Sequence, residues 1–252
     1  MRSVAELRAV AQPVGLLERR SAEHWAGRLY MRRISPYFTA LLARTSIAPN
    51  VVTGFMMLSG IGAGAVLLVD GLNGALACAV LVQLYLLLDC SDGELARWTS
   101  QTSMTGVYLD RVGHYVAEAA LLTGLGARAA NGDTDGWMVL GLVAALCATL
   151  GKAETDLVDI ARARTGLQPS VEQDAEPRNR RIRTLRRVAS ALRVHRITHA
   201  IELSLLIVAA AVYDSVAGGL GATRVLTAAC AVVAGVLVVV HLVSILASSR
   251  LP

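Results

Sequence analysis

Long apolar stretches alternate with short polar segments along most of this chain. Six of these stretches are close to the roughly 20 residues that an α-helix needs to cross a bilayer core. They lie at residues 51–70, 73–91, 105–126, 136–158, 199–217 and 222–247. The pattern predicts an all-α integral membrane protein with six transmembrane helices.

The composition supports a membrane protein. Of the 252 residues, 54% are hydrophobic and only 17% are charged, whereas a soluble domain carries about 25% charged residues. The cysteines lie far apart in or beside apolar stretches, without the CxxC spacing of a metal site. We interpret them as packing residues: they are Cys78, Cys90, Cys147 and Cys230.

Basic residues concentrate in two places. Eight of the 24 Lys and Arg residues lie in residues 1–50 and ten lie in 161–197. By the positive-inside rule, both termini and the basic 159–198 loop of a six-span domain at 47–250 are expected in the cytoplasm. The prediction is a multi-pass plasma-membrane protein, and the preference for Arg over Lys suggests a bacterial source. Nothing resembles a nucleic-acid-binding module, so we expect no nucleic-acid partner.

Residues 1–46 form a polar, arginine-rich segment ahead of the first span. Its second half mixes arginines with aromatic residues such as Trp25 and Tyr37. This mixture is typical of an amphipathic juxtamembrane helix that lies in the headgroup layer. We expect the Ser35-Pro36 step to divide the segment into two helices, because a residue that precedes proline disfavours the helical conformation.

The second predicted span ends in DCSDGELAR, which carries several ionisable groups. Such groups are costly in a membrane span and usually mark a site. Asp89 and Asp92 share one helix face, and Asp110 and His114 share a face of the next helix. Clustered carboxylates suit Mg²⁺ or Mn²⁺, and Arg97 can pair with phosphate. The pattern predicts phosphoryl transfer at the cytoplasmic membrane surface.

These residues resemble the signature of the CDP-alcohol phosphotransferases, D-x2-D-G-x2-A-R-x8-G-x3-D-x3-D. The eight defined positions are occupied here by Asp89, Asp92, Gly93, Ala96, Arg97, Gly106, Asp110 and His114, so only the last one departs. The segment from Ile47 to Thr53 is similar to the family's first-helix motif. In the reaction that the resemblance implies, an alcohol hydroxyl attacks the phosphorus of a CDP-linked lipid, commonly CDP-diacylglycerol, and CMP leaves. The resemblance also implies a role in phospholipid biosynthesis and a homodimer.

The resemblance implies a role for each matching residue. Asp89, Asp92, Asp110 and His114 would hold one or two divalent cations, Mg²⁺ or Mn²⁺. Asp110 and His114 would be the catalytic pair. The residues expected around the cytidine and phosphates are Asn50, Gly93, Ala96, Arg97 and Gly106.

His114 stands where the family has a fourth acidic residue, and three hypotheses follow. The imidazole can serve as the general base that takes the hydroxyl proton. It can remain chiefly a metal ligand, in a site shifted toward Mn²⁺ or Zn²⁺. Or the change can leave a protein that binds CDP-lipids without turnover. Glu118, one turn further along, is a candidate to orient His114 or to replace the missing acid.

The acceptor alcohol is less well defined by the sequence. Candidate acceptor-binding residues, which are equally compatible with salt bridges, are Lys152, Asp156, Arg193 and Arg196. The N-terminal sequence resembles the branch of the family that uses inositol phosphates and related polyol phosphates as acceptors. A third class of function, a cation transporter, is disfavoured because the charges cluster at the cytoplasmic half of the spans.

Overall fold

The structure is a computed structural model that describes residues 4–13, 25–168, 194–248, 250 and 251. Within these residues the regular elements are helical, which confirms the all-α class. The α-helices are α1 (Val4–Ala11), α2 (Arg32–Leu42), α3 (Pro49–Ala65), α4 (Gly71–Trp98), α5 (Met104–Ala129), α6 (Gly136–Arg164), α7 (Ala200–Ala217) and α8 (Gly221–Leu246). A π-helical turn, Gly27–Met31, precedes α2, and 3-10 turns lie at Val66–Leu68 and Val194–Thr198.

Five helices in the described part of the chain are long and apolar enough to cross a bilayer. They are α3 with its 3-10 extension, α4, α6, α7 and α8, and they correspond to five of the six predicted spans. The chain is therefore a multi-pass membrane protein. Helix α4 continues to Trp98, beyond the predicted end of its span at residue 91, so the signature residues up to Arg97 are helical.

The third predicted span, 105–126, falls in α5, and the count of six is not confirmed. Helix α5 has 26 residues, which at 1.5 Å per residue give about 39 Å, enough to cross a bilayer core of about 30 Å. Its sequence includes Asp110, Arg111 and Glu118. These charges lower its apolar character, and the helix is not among the five.

The predicted break at Ser35-Pro36 is wrong, because α2 runs through Pro36 without interruption. Proline has no N–H to donate to the carbonyl four residues earlier, which here belongs to Arg32. That carbonyl instead accepts a hydrogen bond from the Gln12 side chain at 2.9 Å. A contact distant in sequence thus replaces the missing helical bond.

The described residues group into two compact units. The first lies within Met1–Ala63 and Ala77–Ala117, and the second within Gly64–Leu76 and Glu118–Pro252. The first unit has an apolar core to which α3, α4 and α5 all contribute. Its buried members are Val52, Met56, Tyr85, Leu88, Leu95 and Ala117. This packing fixes the orientation of α4 and α5, which carry the signature residues, and of α3 beside them.

The second unit is fastened by buried or half-buried polar contacts. Asp214, near the end of α7, accepts hydrogen bonds from the backbone of Ala222 at 2.7 Å and of Thr223 at 3.0 Å. These are among the N–H groups in the first turn of α8 that have no partner inside the helix. The carboxylate therefore joins two consecutive helices at their connection.

We expect α5 to cross the membrane despite its charges, because it has the necessary length. Single cysteines at Gln101→Cys and Asp133→Cys, before and after α5, should then react with a membrane-impermeant maleimide from opposite faces. Asp70→Cys, in the connection before α4, should label from the same face as Asp133→Cys. The measurement compares intact cells with inside-out vesicles, in a chain whose own cysteines are replaced. Labelling of the residue-101 and residue-133 cysteines from one face would show that α5 does not span.

Candidate functional site

A cavity of about 350 Å³ lies in the first unit, among α3, α4 and α5. All the residues predicted to bind metal or nucleotide line it, although they come from three separate helices. They are Asn50, Asp89, Asp92, Gly93, Ala96, Arg97, Gly106, Asp110 and His114. Helix α5 begins at this cavity because Ser103 caps it: its hydroxyl accepts a hydrogen bond from the backbone of Gly106 at 3.0 Å.

Three of the four predicted metal ligands converge. Each of Asp89, Asp110 and His114 offers one ligand atom, and the three atoms lie within 4.8 Å of one another. His114 Nε2 is 3.2 Å from Asp89 Oδ1 and 3.5 Å from Asp110 Oδ1. Asp110 and His114 meet because they are one turn apart on α5, and Asp89 reaches them from α4. Two carboxylates and an imidazole form a donor set suited to a divalent cation.

Tyr85 holds the imidazole from the other side and was missed by the sequence analysis. Its hydroxyl forms a hydrogen bond with His114 Nδ1, and the two rings meet edge to face with centroids 5.9 Å apart. Tyr85 lies four residues before Asp89, hence on the same face of α4. That spacing is the signal that could have identified it.

The bond to Tyr85 has a consequence for the opposite ring nitrogen. When Nδ1 of His114 carries the proton and donates it to Tyr85, Nε2 presents a lone pair toward Asp89 and Asp110. Three electron-rich atoms then face one point, and a cation between them relieves their repulsion. A proton on Nε2 would serve the same purpose by making the ring a cation.

Asp92 lines the same cavity but is engaged differently. Its side chain is buried, and its Oδ2 accepts a hydrogen bond from the Thr53 hydroxyl at 2.7 Å. Asp92 is not a member of the group that Asp89, Asp110 and His114 form. The contact instead ties α4 to the first turns of α3, at the last residue of the family-like motif.

The small residues of the signature give room to their neighbours. A side chain at Gly93 would place its Cβ 3.2 Å from Arg97 Nη1, so the guanidinium lies over Gly93. At Gly106 the Cβ would lie 3.1 Å from Asn50 Oδ1. Arg97 Nε donates to the Ala11 carbonyl at 2.6 Å. This bond fixes one edge of the guanidinium.

Glu94 is a second residue whose surroundings the sequence did not reveal. Its side chain is fully buried at 0% exposure, although it lies in the middle of the signature. Its carboxylate accepts hydrogen bonds from Ser35 and Thr39 of α2, at 2.6 and 2.8 Å, and from Gln12 at 2.7 Å. Arg32 Nη1 lies 3.5 Å away. A buried carboxylate is tolerated only with such partners.

The predicted acceptor residues that the structure describes belong to the second unit. Lys152 Nζ pairs with Glu118 at 2.9 Å. Arg196 Nη1 lies 3.8 Å from Glu202, and Asp156 lies one turn beyond Lys152 on α6. Arg193 lies outside the described residues. Glu118, considered above as a partner for His114, therefore has a lysine partner.

Comparison with known proteins identifies the family. The family profile described as CDP-alcohol phosphatidyltransferase matches residues 46–173, half of the chain, including the whole signature. An archaetidylinositol phosphate synthase of Aeropyrum pernix is 37% identical over 81 residues, which are 32% of this chain and 40% of that protein. The matched part thus spans less than half of that relative. This chain belongs to the CDP-alcohol phosphatidyltransferase family, in agreement with the resemblance of its signature.

Proposed function

We propose that this protein transfers a phosphatidyl or other substituted phosphoryl group from a CDP-linked lipid to an alcohol and releases CMP. The observation that carries the proposal is the convergence of Asp89, Asp110 and His114 in a cavity that Arg97 and Asn50 also line. Metal, phosphate and nucleotide recognition are thereby available in one place. Family membership supports the same reaction class.

Two carboxylates and an imidazole fit a divalent cation, which we propose to be Mg²⁺ or Mn²⁺. Hard oxygen ligands suit both metals, and the imidazole nitrogen favours Mn²⁺ over Mg²⁺. When bound, such a cation neutralises negative charge on the donor pyrophosphate and on the leaving CMP. Asp89 and Asp110 would hold it, with Asp92 and His114 as the further candidate ligands.

The remaining residues of the cavity bind and orient the donor. Arg97 presents its Nη atoms to phosphate oxygens, because its Nε already donates to the Ala11 carbonyl. Because Gly93 and Gly106 have no side chains, the Arg97 guanidinium and the Asn50 amide lie close to the helix backbones, where they can face the nucleotide beside Ala96. Most of the rate then comes from positioning and electrostatic stabilisation rather than from covalent catalysis.

His114 is our candidate for the general base. Its Nε2 would take the proton from the acceptor hydroxyl as that oxygen attacks phosphorus. The resulting imidazolium would be stabilised by Asp89 and Asp110, whose oxygens lie 3.2 and 3.5 Å from Nε2. Tyr85 orients the ring by its bond to Nδ1. The alternatives, a metal-ligand role or a CDP-lipid-binding protein without turnover, give different outcomes in the experiments below.

For the acceptor we propose a polyol phosphate such as an inositol phosphate, with CDP-diacylglycerol or a related CDP-lipid as donor. The name of the Aeropyrum pernix relative supports this acceptor class. Lys152, Asp156, Arg193 and Arg196 remain the candidates for binding the acceptor. The distribution of basic residues favours a cytoplasmic site, and family resemblance favours a homodimer.

CMP release by the detergent-purified chain tests the proposed reaction. We expect release from CDP-diacylglycerol with Mg²⁺ or Mn²⁺ and one acceptor from a panel of inositol, inositol phosphate, glycerol phosphate and simple alcohols. EDTA should abolish release, and Asp89→Asn should lower it by at least about 100-fold because a metal ligand is lost. Asp70→Asn removes an exposed carboxylate and is the matched control. Metal-dependent CDP binding without CMP release for any acceptor would contradict turnover.

Variants of His114 distinguish its roles. As the base, His114→Ala should lower CMP release by at least about 100-fold and change Mn²⁺ affinity, measured by electron paramagnetic resonance, by less than about threefold. A loss of Mn²⁺ affinity greater than about 100-fold, beyond the roughly 10-fold to 100-fold that is typical of a group that only supports a ligand, would instead assign His114 to the metal. CMP release by His114→Asp alone, with CDP binding by the unaltered chain, would identify a binding protein.

Tyr85→Phe removes the hydroxyl that orients His114 and keeps the aromatic ring in the apolar core. We expect CMP release to fall by about 10-fold to 100-fold, as is usual when a group that orients a site residue is lost. Tyr108→Phe is the control, because Tyr108 is 67% exposed on α5. Equal rates for Tyr85→Phe and the unaltered chain would show that the hydroxyl has no part in turnover.

A further inference from the structure

The N-terminal segment, by which we mean the described residues 4–13 and 25–42, contacts the end of α4 that carries the signature. Ser35 and Thr39 donate to Glu94 from α2, and Gln12 donates from the residue after α1. Glu94 is the common acceptor of these bonds and is buried at 0% exposure. A single carboxylate thus gathers two separate parts of the N-terminal segment.

Gln12 makes the junction specific. Its side-chain Nε2 donates both to Glu94 Oε1 at 2.7 Å and to the Arg32 carbonyl at 2.9 Å. That carbonyl is available because Pro36 cannot bond to it. The amide of Gln12 therefore bridges α2 and α4, and its position fixes the end of α1.

The residue before Gln12 contacts the signature directly. The Ala11 carbonyl accepts from Arg97 Nε at 2.6 Å, one turn along α4 from Glu94. The Arg97 guanidinium lies over Gly93 and lines the cavity. Ala11 and Gln12 thus contact two residues within the signature. The contact of Ala11 orients Arg97, the candidate for binding phosphate.

We propose that Glu94 is a positioning residue: it docks the N-terminal segment so that the Ala11 carbonyl fixes Arg97 for binding of the CDP pyrophosphate. This inference rests on the proposed function, since it assigns Arg97 to the donor phosphates. Glu94 itself contacts no substrate. It acts through Gln12, Ala11 and Arg97, so the affinity for CDP depends on a segment that lies outside the membrane spans.

The test measures CDP affinity by calorimetry with Mn²⁺, on the full chain in lipid nanodiscs. Glu94→Gln removes the charge but keeps the shape, and we expect affinity to fall by about tenfold, because bonds to a charged acceptor are the stronger ones. Gln12→Met, which leaves Glu94 intact, should also lower CDP affinity. Hydrogen exchange of residues 4–12 should become faster in both variants as α1 loses its anchor.

A double-mutant cycle shows whether the effect passes through Arg97. In an Arg97→Ala background, Glu94→Gln should weaken CDP binding no further, since the group it positions is absent. Tyr30→Phe is the matched control. It removes a 2.6 Å bond from the N-terminal segment to Gln83, about 21 Å along α4 from Arg97 at helical rise, and should leave CDP affinity unchanged. Burial raises the pKa of Tyr30, so its hydroxyl is protonated and remains a donor at neutral pH.

The outcomes separate this inference from the proposed function. Absence of CDP binding by the unaltered chain would overturn the proposed function, and this inference with it. If the unaltered chain binds CDP but Glu94→Gln and Gln12→Met bind it equally well, only the positioning role is wrong. Additive losses in the Glu94 and Arg97 cycle would also overturn it. Asp214→Asn, a change at another buried carboxylate in the second unit, should lower thermal stability without changing CDP affinity.

Discussion

The convergence of Asp89, Asp110 and His114 is the constraint on which the rest of this site depends. Three ligand atoms, two carboxylate oxygens and an imidazole nitrogen, lie within 4.8 Å of one another in a partly exposed group, and two carboxylates at such distances repel each other. A proton or a cation among them would relieve that repulsion. The apolar core of the first unit holds α4 and α5 in this arrangement, and Tyr85 keeps the imidazole turned toward the carboxylates. Packing energy thereby maintains a site that electrostatic repulsion alone would open.

The other acids of the signature make separate contacts within the first unit. Asp92 accepts from Thr53, and Glu94 accepts from Ser35, Thr39 and Gln12. The helical repeat sets Glu94 apart, because it points away from the face of α4 that Asp89 and Asp92 share, and the bond to Thr53 distinguishes Asp92 from Asp89. One short sequence therefore supplies a member of the converging group, a link to α3 and an anchor for the N-terminal segment.

Features that follow from local sequence could be predicted, and those that depend on distant partners could not. Five of the six predicted spans correspond to helices that are long and apolar enough to cross a bilayer, and Asp110 and His114 meet because they are one turn apart on α5. The approach of Asp89 on α4 to that pair depends on packing between helices. Glu94 gave no such signal, because its partner Gln12 lies 82 residues away in the sequence. The continuity of α2 through Pro36 depends on the same glutamine. The count of six spans failed confirmation because α5 carries the charges that make the site.

The exchange of an acidic residue for His114 changes the charge of the site as well as its shape. A neutral imidazole brings one negative charge fewer than a carboxylate, and Asp92 already accepts a hydrogen bond from Thr53. Two divalent cations close together need several anionic ligands to offset their mutual repulsion. With Asp89 and Asp110 as its carboxylates, the converging group has the negative charge that offsets one divalent cation. If one cation binds there, Arg97, held by the Ala11 carbonyl, would carry a larger share of the neutralisation of the donor phosphates than it would beside two cations.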